Sequence, residues 1–195
     1  MKLLNKMLRN SIIILLVLGF VSCENSSLSK KEKLEYSKKG KEIAQASFKA
    51  LSGKLTEQMQ LGGTEKAIPF CNIEALPLTK EISENYNVEI KRVSNKFRNS
   101  KNRATDRELE VIQIFEKLMT ENERLSPIVE LNNNNQKHFY APIIIKANCL
   151  VCHGKVGELV TIKTDSIIKS LYPNDKAIGY NEGDLRGIWS ITFKN

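Results

Sequence analysis

The hydrophobic pattern of the chain changes period from block to block. Residues 11–21 are an almost unbroken apolar run placed behind Lys2, Lys6 and Arg9. From Lys31 to about Leu61, Leu34, Ile43, Ala44, Phe48, Leu51, Leu55 and Met59 recur at three-, four- and seven-residue steps with no proline. That spacing predicts a long amphipathic helix. Gly62-Gly63 is expected to stop it. Thr64 with Glu65 can then open a second helix to about Lys80, interrupted by Pro69 and Pro77. Val88, Ile90 and, more loosely, Val93 alternate with polar residues across 87–94, as in a half-buried strand.

Thr105-Asp106 caps a predicted helix carrying Leu109, Ile112, Phe115, Leu118 and Met119. Pro127–Leu131 and Gln136–Lys146 read as strands joined through the turn residues Asn132–Asn135. Ser166–Leu171 reads as a short helix, Tyr172–Gly183 as a loop and Leu185–Phe193 as a closing strand. Helices ahead of an antiparallel set of strands predict an α+β domain, with the helices packed on one face of the sheet.

Length and composition narrow this further. A chain of 195 residues and 22.1 kDa fits one domain with a tether. Hydrophobic residues at 41% and charged residues at 27% exclude a disordered tail, a collagen-like rod and a multi-span membrane protein. The formal charge is +8, but three cations lie in residues 1–22, which carry no acid. The remainder holds 27 basic and 22 acidic side chains, spread along the chain, and calls for no nucleic-acid partner.

The apolar run behind its basic segment has signal-peptide length and is too short to cross a hydrocarbon core of about 30 Å. Val21-Ser-Cys23, followed by Glu-Asn-Ser-Ser, resembles a bacterial lipoprotein signal. This implies removal of residues 1–22 and lipidation of Cys23; an ordinary secretory peptide is the alternative. Residues 23–30 then form a tether and residues 31–195 the folded domain, outside the cytoplasm and on the periplasmic side. Acyl chains would anchor it to a bacterial membrane, each buried CH₂ contributing about 0.8 kcal/mol. The lysines of 30–33 and 38–41 read as a solvated helix face or as a basic strip near anionic headgroups.

Chemistry concentrates at Cys149-Leu-Val-Cys-His153. In an exported chain, Cys-x-x-Cys-His is the attachment signature of c-type haem. Two thiols three positions apart can form thioethers with the porphyrin vinyl groups, and the adjoining histidine is placed to become the proximal iron ligand. A thioredoxin-like pair would need a nearby βαβ pattern, which is absent. Structural zinc would need a second ligand pair, and only Cys71, His138 and Cys23 remain. A plain structural disulfide is the remaining alternative.

Further segments carry a family resemblance. Phe139-Tyr-Ala-Pro142, Cys149-Leu-Val-Cys-His-Gly154, Tyr172-Pro-Asn-Asp175, Ala177-Ile-Gly-Tyr180 and Gly183-Asp-Leu-Arg-Gly187 resemble the PAS-like c-haem domain family. Ala67-Ile-Pro-Phe-Cys71, Arg92-Val-Ser94, Arg98-Asn99 and Asn102 match its upstream segments. The resemblance spans about residues 31–195. It implies a PAS-like antiparallel sheet with flanking helices, one covalent haem c, and a sensing or redox role outside the cytoplasm.

For the sixth iron position, chemistry alone leaves His138, Met59, Met119, Cys71 or water open. The resemblance selects Cys71, where the family's distal cysteine falls, and so implies His153/Cys71 ligation and a low potential. Arg92, Arg98 and Arg186 are candidates to meet haem propionates. Tyr140, Pro142 and Tyr180 are candidates to wall the haem. The expected function is redox sensing or electron transfer without enzymatic turnover, with a redox protein or a small signal molecule as partner. A homodimer through the long first helix is a further expectation. The rival readings are a gas or small-ligand sensor with a displaceable distal ligand and, more remotely, a haem peroxidase.

Overall fold

The computed structural model describes residues 27–194. The predicted signal segment 1–22 and Cys23 lie outside the described residues. The first helix, α1 (Lys30–Asn85), starts at Ser29, whose hydroxyl accepts the Glu32 N–H (3.2 Å) while the Glu32 carboxylate accepts the Ser29 N–H (3.0 Å). Gly62 and Gly63 leave helical geometry, so α1 is two helical arms meeting at a kink where the sequence placed the end of one helix and the start of the next; Gly63 takes φ 63°, a conformation that suits glycine. Pro69 and Pro77 were expected to interrupt the second arm, yet it continues to Asn85. Each proline removes one backbone donor, and burial of Ala67, Ile68 and Thr79 on the same arm offsets that cost. Among the described residues, no helix is long and apolar enough to cross a membrane.

Four strands follow: β1 (Val88–Val93), β2 (Ile128–Leu131), β3 (Lys137–Ile144) and β4 (Leu185–Phe193). They form one antiparallel sheet in the order β1-β4-β3-β2. The α+β architecture and the long first helix agree with the expected PAS-like arrangement. The remaining helices are α2 (Asp106–Thr120), the single turn α3 (Leu150–His153) and α4 (Ile162–Leu171). α4 begins four residues earlier than predicted because the Thr161 hydroxyl accepts the Thr164 N–H (3.1 Å) and caps it there.

The helices do not share one face of the sheet, as had been expected. Val88, Ile90, Phe139, Trp189, Ile191 and Phe193 pack toward Ile43 and Ala44 of α1. Val93, Tyr140 and Ile188 pack on the other side against Val111, Ile112 and Phe115 of α2. The cause is visible in β3 and β4, where Phe139-Tyr140 and Ile188-Trp189 place apolar residues on both faces, so both faces need cover. Pro142 is tolerated within β3 because β2 pairs only as far as Tyr140, leaving that stretch with β4 as its sole neighbour.

Candidate functional site

Cys149, Cys152 and His153 sit together on a turn of 3₁₀ helix (Ala147–Cys149) followed by α3. The turn is pinned by the loop before β4. His153 O accepts the Tyr180 N–H (2.9 Å) and Gly154 O accepts the Gly179 N–H (3.0 Å). The His153 Nδ1 lies 2.7 Å from the Ala177 carbonyl oxygen. A carbonyl only accepts, so Nδ1 carries the proton. Burial, together with the charges of Arg98 and Arg186, holds the imidazole well below its ordinary pKa despite that carbonyl. The ring is therefore neutral at pH 7, and its Nε2 lone pair has no partner among the described residues. Tyr180 meets the ring edge-on at 6.2 Å.

Cys71 reaches the same neighbourhood from the second arm of α1. One turn before it, Ile68 packs with Ile168, Tyr172 and Cys152. Thr64 on α1 and Thr164 on α4 share a hydrogen bond of 2.7 Å that holds the two helices together. Burial raises the Cys71 thiol, opposed by the charges of Arg92 and Arg98. Burial also raises the Cys152 thiol; Arg98 opposes this, while the nearby thiols of Cys71 and Cys149 add to it. Tyr172 is pushed up to about 12, first by burial and then by Cys71. Cys71, Cys149 and Cys152 are all free thiols.

The three arginines divide. Arg98 is engaged: its Nε meets Asp175 Oδ1 at 3.2 Å, and its Nη2 donates to the Cys152 carbonyl at 2.6 Å and the Ala177 carbonyl at 3.1 Å. Arg186 donates to the Lys96 carbonyl (3.0 Å) and lies beside Tyr180, 5.6 Å from its ring centre. Arg92 lies 5.9 Å from the Trp189 ring centre. Among the described residues, neither Arg92 nor Arg186 has a carboxylate partner. Burial lowers both of their pKa values.

Other candidates fall elsewhere. His138 is on the α2 side of the sheet, with Nε2 2.8 Å from Ser190 Oγ and Nδ1 3.2 Å from Thr192 Oγ1. Tyr140 stacks on His138 at 4.2 Å and packs in the core beneath α2, so it does not wall the cysteine cluster. Met119 is on α2, across the sheet from α1, and Met59 stays on α1 ahead of the bend. Pro142 lines a cavity of about 280 Å³ with Phe48, Phe139, Ala141 and Trp189. Residue patterning missed Asp175, Lys96 and the Ala177 carbonyl. Lys96 donates to the Ile178 carbonyl (3.1 Å) and lies 4.2 Å from the Tyr180 ring centre. Asp175 was legible only as part of the Tyr172–Asp175 segment, and a backbone oxygen leaves no mark in a sequence.

Comparison with known proteins bears on the fold. The fold matches the crystal structure of the cyanobacterial heme-protein Tll0287 with a TM-score of 0.62 and 22% identity, covering 83% of this chain and 96% of that one. No curated protein matches. The pattern of the Tll0287-like family runs from residue 25 to residue 194, through both arms of α1, the whole sheet and the cysteine turn, and the chain belongs to that family.

Proposed function

We propose that this protein is a membrane-tethered, extracytoplasmic single-haem protein that senses redox state or passes electrons and performs no enzymatic turnover. In this reading haem c is joined through Cys149 and Cys152, with His153 and Cys71 as axial ligands. Kinship with a heme-protein supports haem binding. The observation that carries the site is the neutral His153 ring, locked by Ala177 with Nε2 free, in one turn with the two thiols.

The surroundings fit such a group. Arg92 and Arg186 are desolvated cations without an acidic partner among the described residues, which suits two propionates. The Tyr180 hydroxyl is buried without a hydrogen-bond partner among the described residues. The bound haem supplies one-electron chemistry. His153 offers Nε2, its orientation held by the Ala177 carbonyl. Cys71 is a desolvated thiol that gives up its proton when a metal takes the sulfur. Arg92 and Arg186 would neutralise the haem carboxylates.

A second copy pairing along α1 belongs to the same proposal. Leu34, Phe48 and Leu55 stand exposed there at multiples of seven residues.

Protein matured with a c-type ligation system should give a pyridine haemochrome spectrum of haem c and an intact mass carrying one macrocycle. Replacing Cys149 and Cys152 together with Ala should abolish haem retained after acid–acetone extraction. Colourless protein would refute the proposal. Cys71→Ala should keep covalent haem but change the low-spin ferric EPR spectrum; an unchanged spectrum would remove Cys71 from the iron.

A further inference from the structure

We infer that Arg98 and Asp175 form a charge-balanced clamp that positions His153 and sets its strength as an iron ligand. This rests on the haem function proposed above. The sequence offered Arg98 as one of three equivalent partners for haem carboxylates, and the structure separates it from the other two. Its side chain is only 13% exposed and that of Asp175 4%. The guanidinium faces Asp175 through two nitrogens, at 3.2 Å and 3.4 Å. Nε and Nη2 are thus committed to Asp175 and to two backbone carbonyls, and the charge of Arg98 is already balanced by a carboxylate within the chain.

What those contacts hold is the mount of the imidazole. Arg98 Nη2 donates to the Cys152 carbonyl, in the single turn α3 that carries Cys152 and His153 directly after Cys149. The same nitrogen donates to the Ala177 carbonyl, the oxygen that also accepts from His153 Nδ1. Asp175 Oδ1 accepts the Ala177 N–H at 2.9 Å, so this residue is fixed from both its N–H and its C=O. Further along, Lys176 N–H donates to the Phe97 carbonyl (2.9 Å), tying the Ala177 loop back to the segment that bears Arg98.

Two effects follow for the imidazole. Accepting from Nδ1–H makes Nε2 a stronger donor, and an arginine N–H on the same oxygen weakens that acceptance. A positive charge beside the ring also disfavours the more positive iron state, and in this desolvated place it is poorly screened. Arg98 therefore raises the midpoint potential and Asp175 lowers it. The pair holds an intermediate value while keeping the ring in one orientation.

The test compares Arg98→Gln, Arg98→Lys and Asp175→Asn with the wild type as matured haem-loaded full chains. The pyridine haemochrome spectrum and intact mass are recorded for each, followed by redox titration and ferric EPR. The expected result is opposite signs: Arg98→Gln lowers the potential, Asp175→Asn raises it, and Arg98→Lys returns it toward the wild-type value. A merely structural role would leave the potentials of correctly loaded variants together, or move those of Arg98→Gln and Asp175→Asn in one direction, and either outcome overturns the clamp. If Arg98→Gln does not accumulate, the rise in Asp175→Asn and the near-wild-type value of Arg98→Lys decide. A wild-type chain without covalent haem defeats the underlying function and the clamp together. Covalent haem in every variant with no divergence defeats the clamp alone.

Discussion

Gly40 allows a sharp test of how α1 is seated on the sheet. It is buried on the first arm of α1 and faces the ring of Phe139, which is fully buried in β3. A methyl group at Gly40 would overlap Cγ and Cδ2 of that ring and stand only 2.7 Å from Cδ1. Ordinary carbon–carbon contact is about 3.5–4.0 Å, so helix and strand would have to part by roughly 1 Å. Overpacking a closed core costs about 1–3 kcal/mol, and overlap with several atoms of an immobile ring belongs at the upper end. Alanine returns about 1 kcal/mol of helix propensity. The net expectation for Gly40→Ala is a loss of about 2 kcal/mol, or a Tm lower by about 4–8 °C for a domain of this size. Gly53 on the same arm supplies the control, because a Cβ there meets nothing within 4 Å. Gly53→Ala should therefore stabilise by about 0.5–1 kcal/mol. Urea titrations followed by circular dichroism would read both, and Phe139→Leu in the Gly40→Ala background should recover part of the loss. If Gly40→Ala proves as stable as Gly53→Ala, the close approach of α1 to β3 is wrong.

Other positions give independent checks. Gly187 adopts φ 154°, and a Cβ there would overlap the Val93 carbonyl oxygen and lie 3.0 Å from Ser94 Cβ, so Gly187→Ala should cost about 3 kcal/mol in a thermal melt. An unshifted melt would contradict the β1–β4 packing. Glu108 accepts from the Thr105 N–H (2.8 Å) and hydroxyl (2.9 Å) at the start of α2 and from the Ser190 hydroxyl (2.7 Å) in the core. Glu108→Ala should thus cost about 2–4 kcal/mol in urea titration, against about 1 for Thr105→Ala. Equal losses would mean that the Ser190 link carries no weight. Burial holds His138 below its ordinary 6.5, against the opposing charges of Glu108 and Glu130. The unfolded chain then takes up this proton first as pH falls, so the contribution of His138 is complete above about pH 6.5 and is lost on acidification, by at most about 1.4 kcal/mol per pH unit. His138→Gln should flatten the profile between pH 7 and 5, and parallel profiles would be inconsistent with a half-buried ring held neutral.

Much of the fold was legible because its signals are local. Thr105 with Glu108 is a capping box four residues long, and it sets the start of α2 where the sequence placed it. The predicted bounds of β4 match the structure residue for residue, and the asparagine run does turn between β2 and β3. Cys149, Cys152 and His153 needed only one helical turn to come together, so their association was written in their spacing. Hydrophobic period located α1 but misjudged the prolines. Whether a helix survives a lost donor depends on the contacts of the rest of that arm, and those partners lie far along the chain.

By itself, then, the sequence determined the succession of elements, the break in helix at Gly62-Gly63 and the cysteine turn, each a property of neighbours a few residues apart. Tertiary structure alone decided that α1 and α2 cover opposite faces, that Tyr140 turns away from the cysteine cluster, and that Cys71 approaches Cys152 from another helix. It also distinguished Arg98, whose acceptors lie 54 to 79 residues away, from Arg92 and Arg186. Three arginines look alike in a sequence. Which of them meets a carboxylate within the chain and which does not follows from where the backbone returns to close the core.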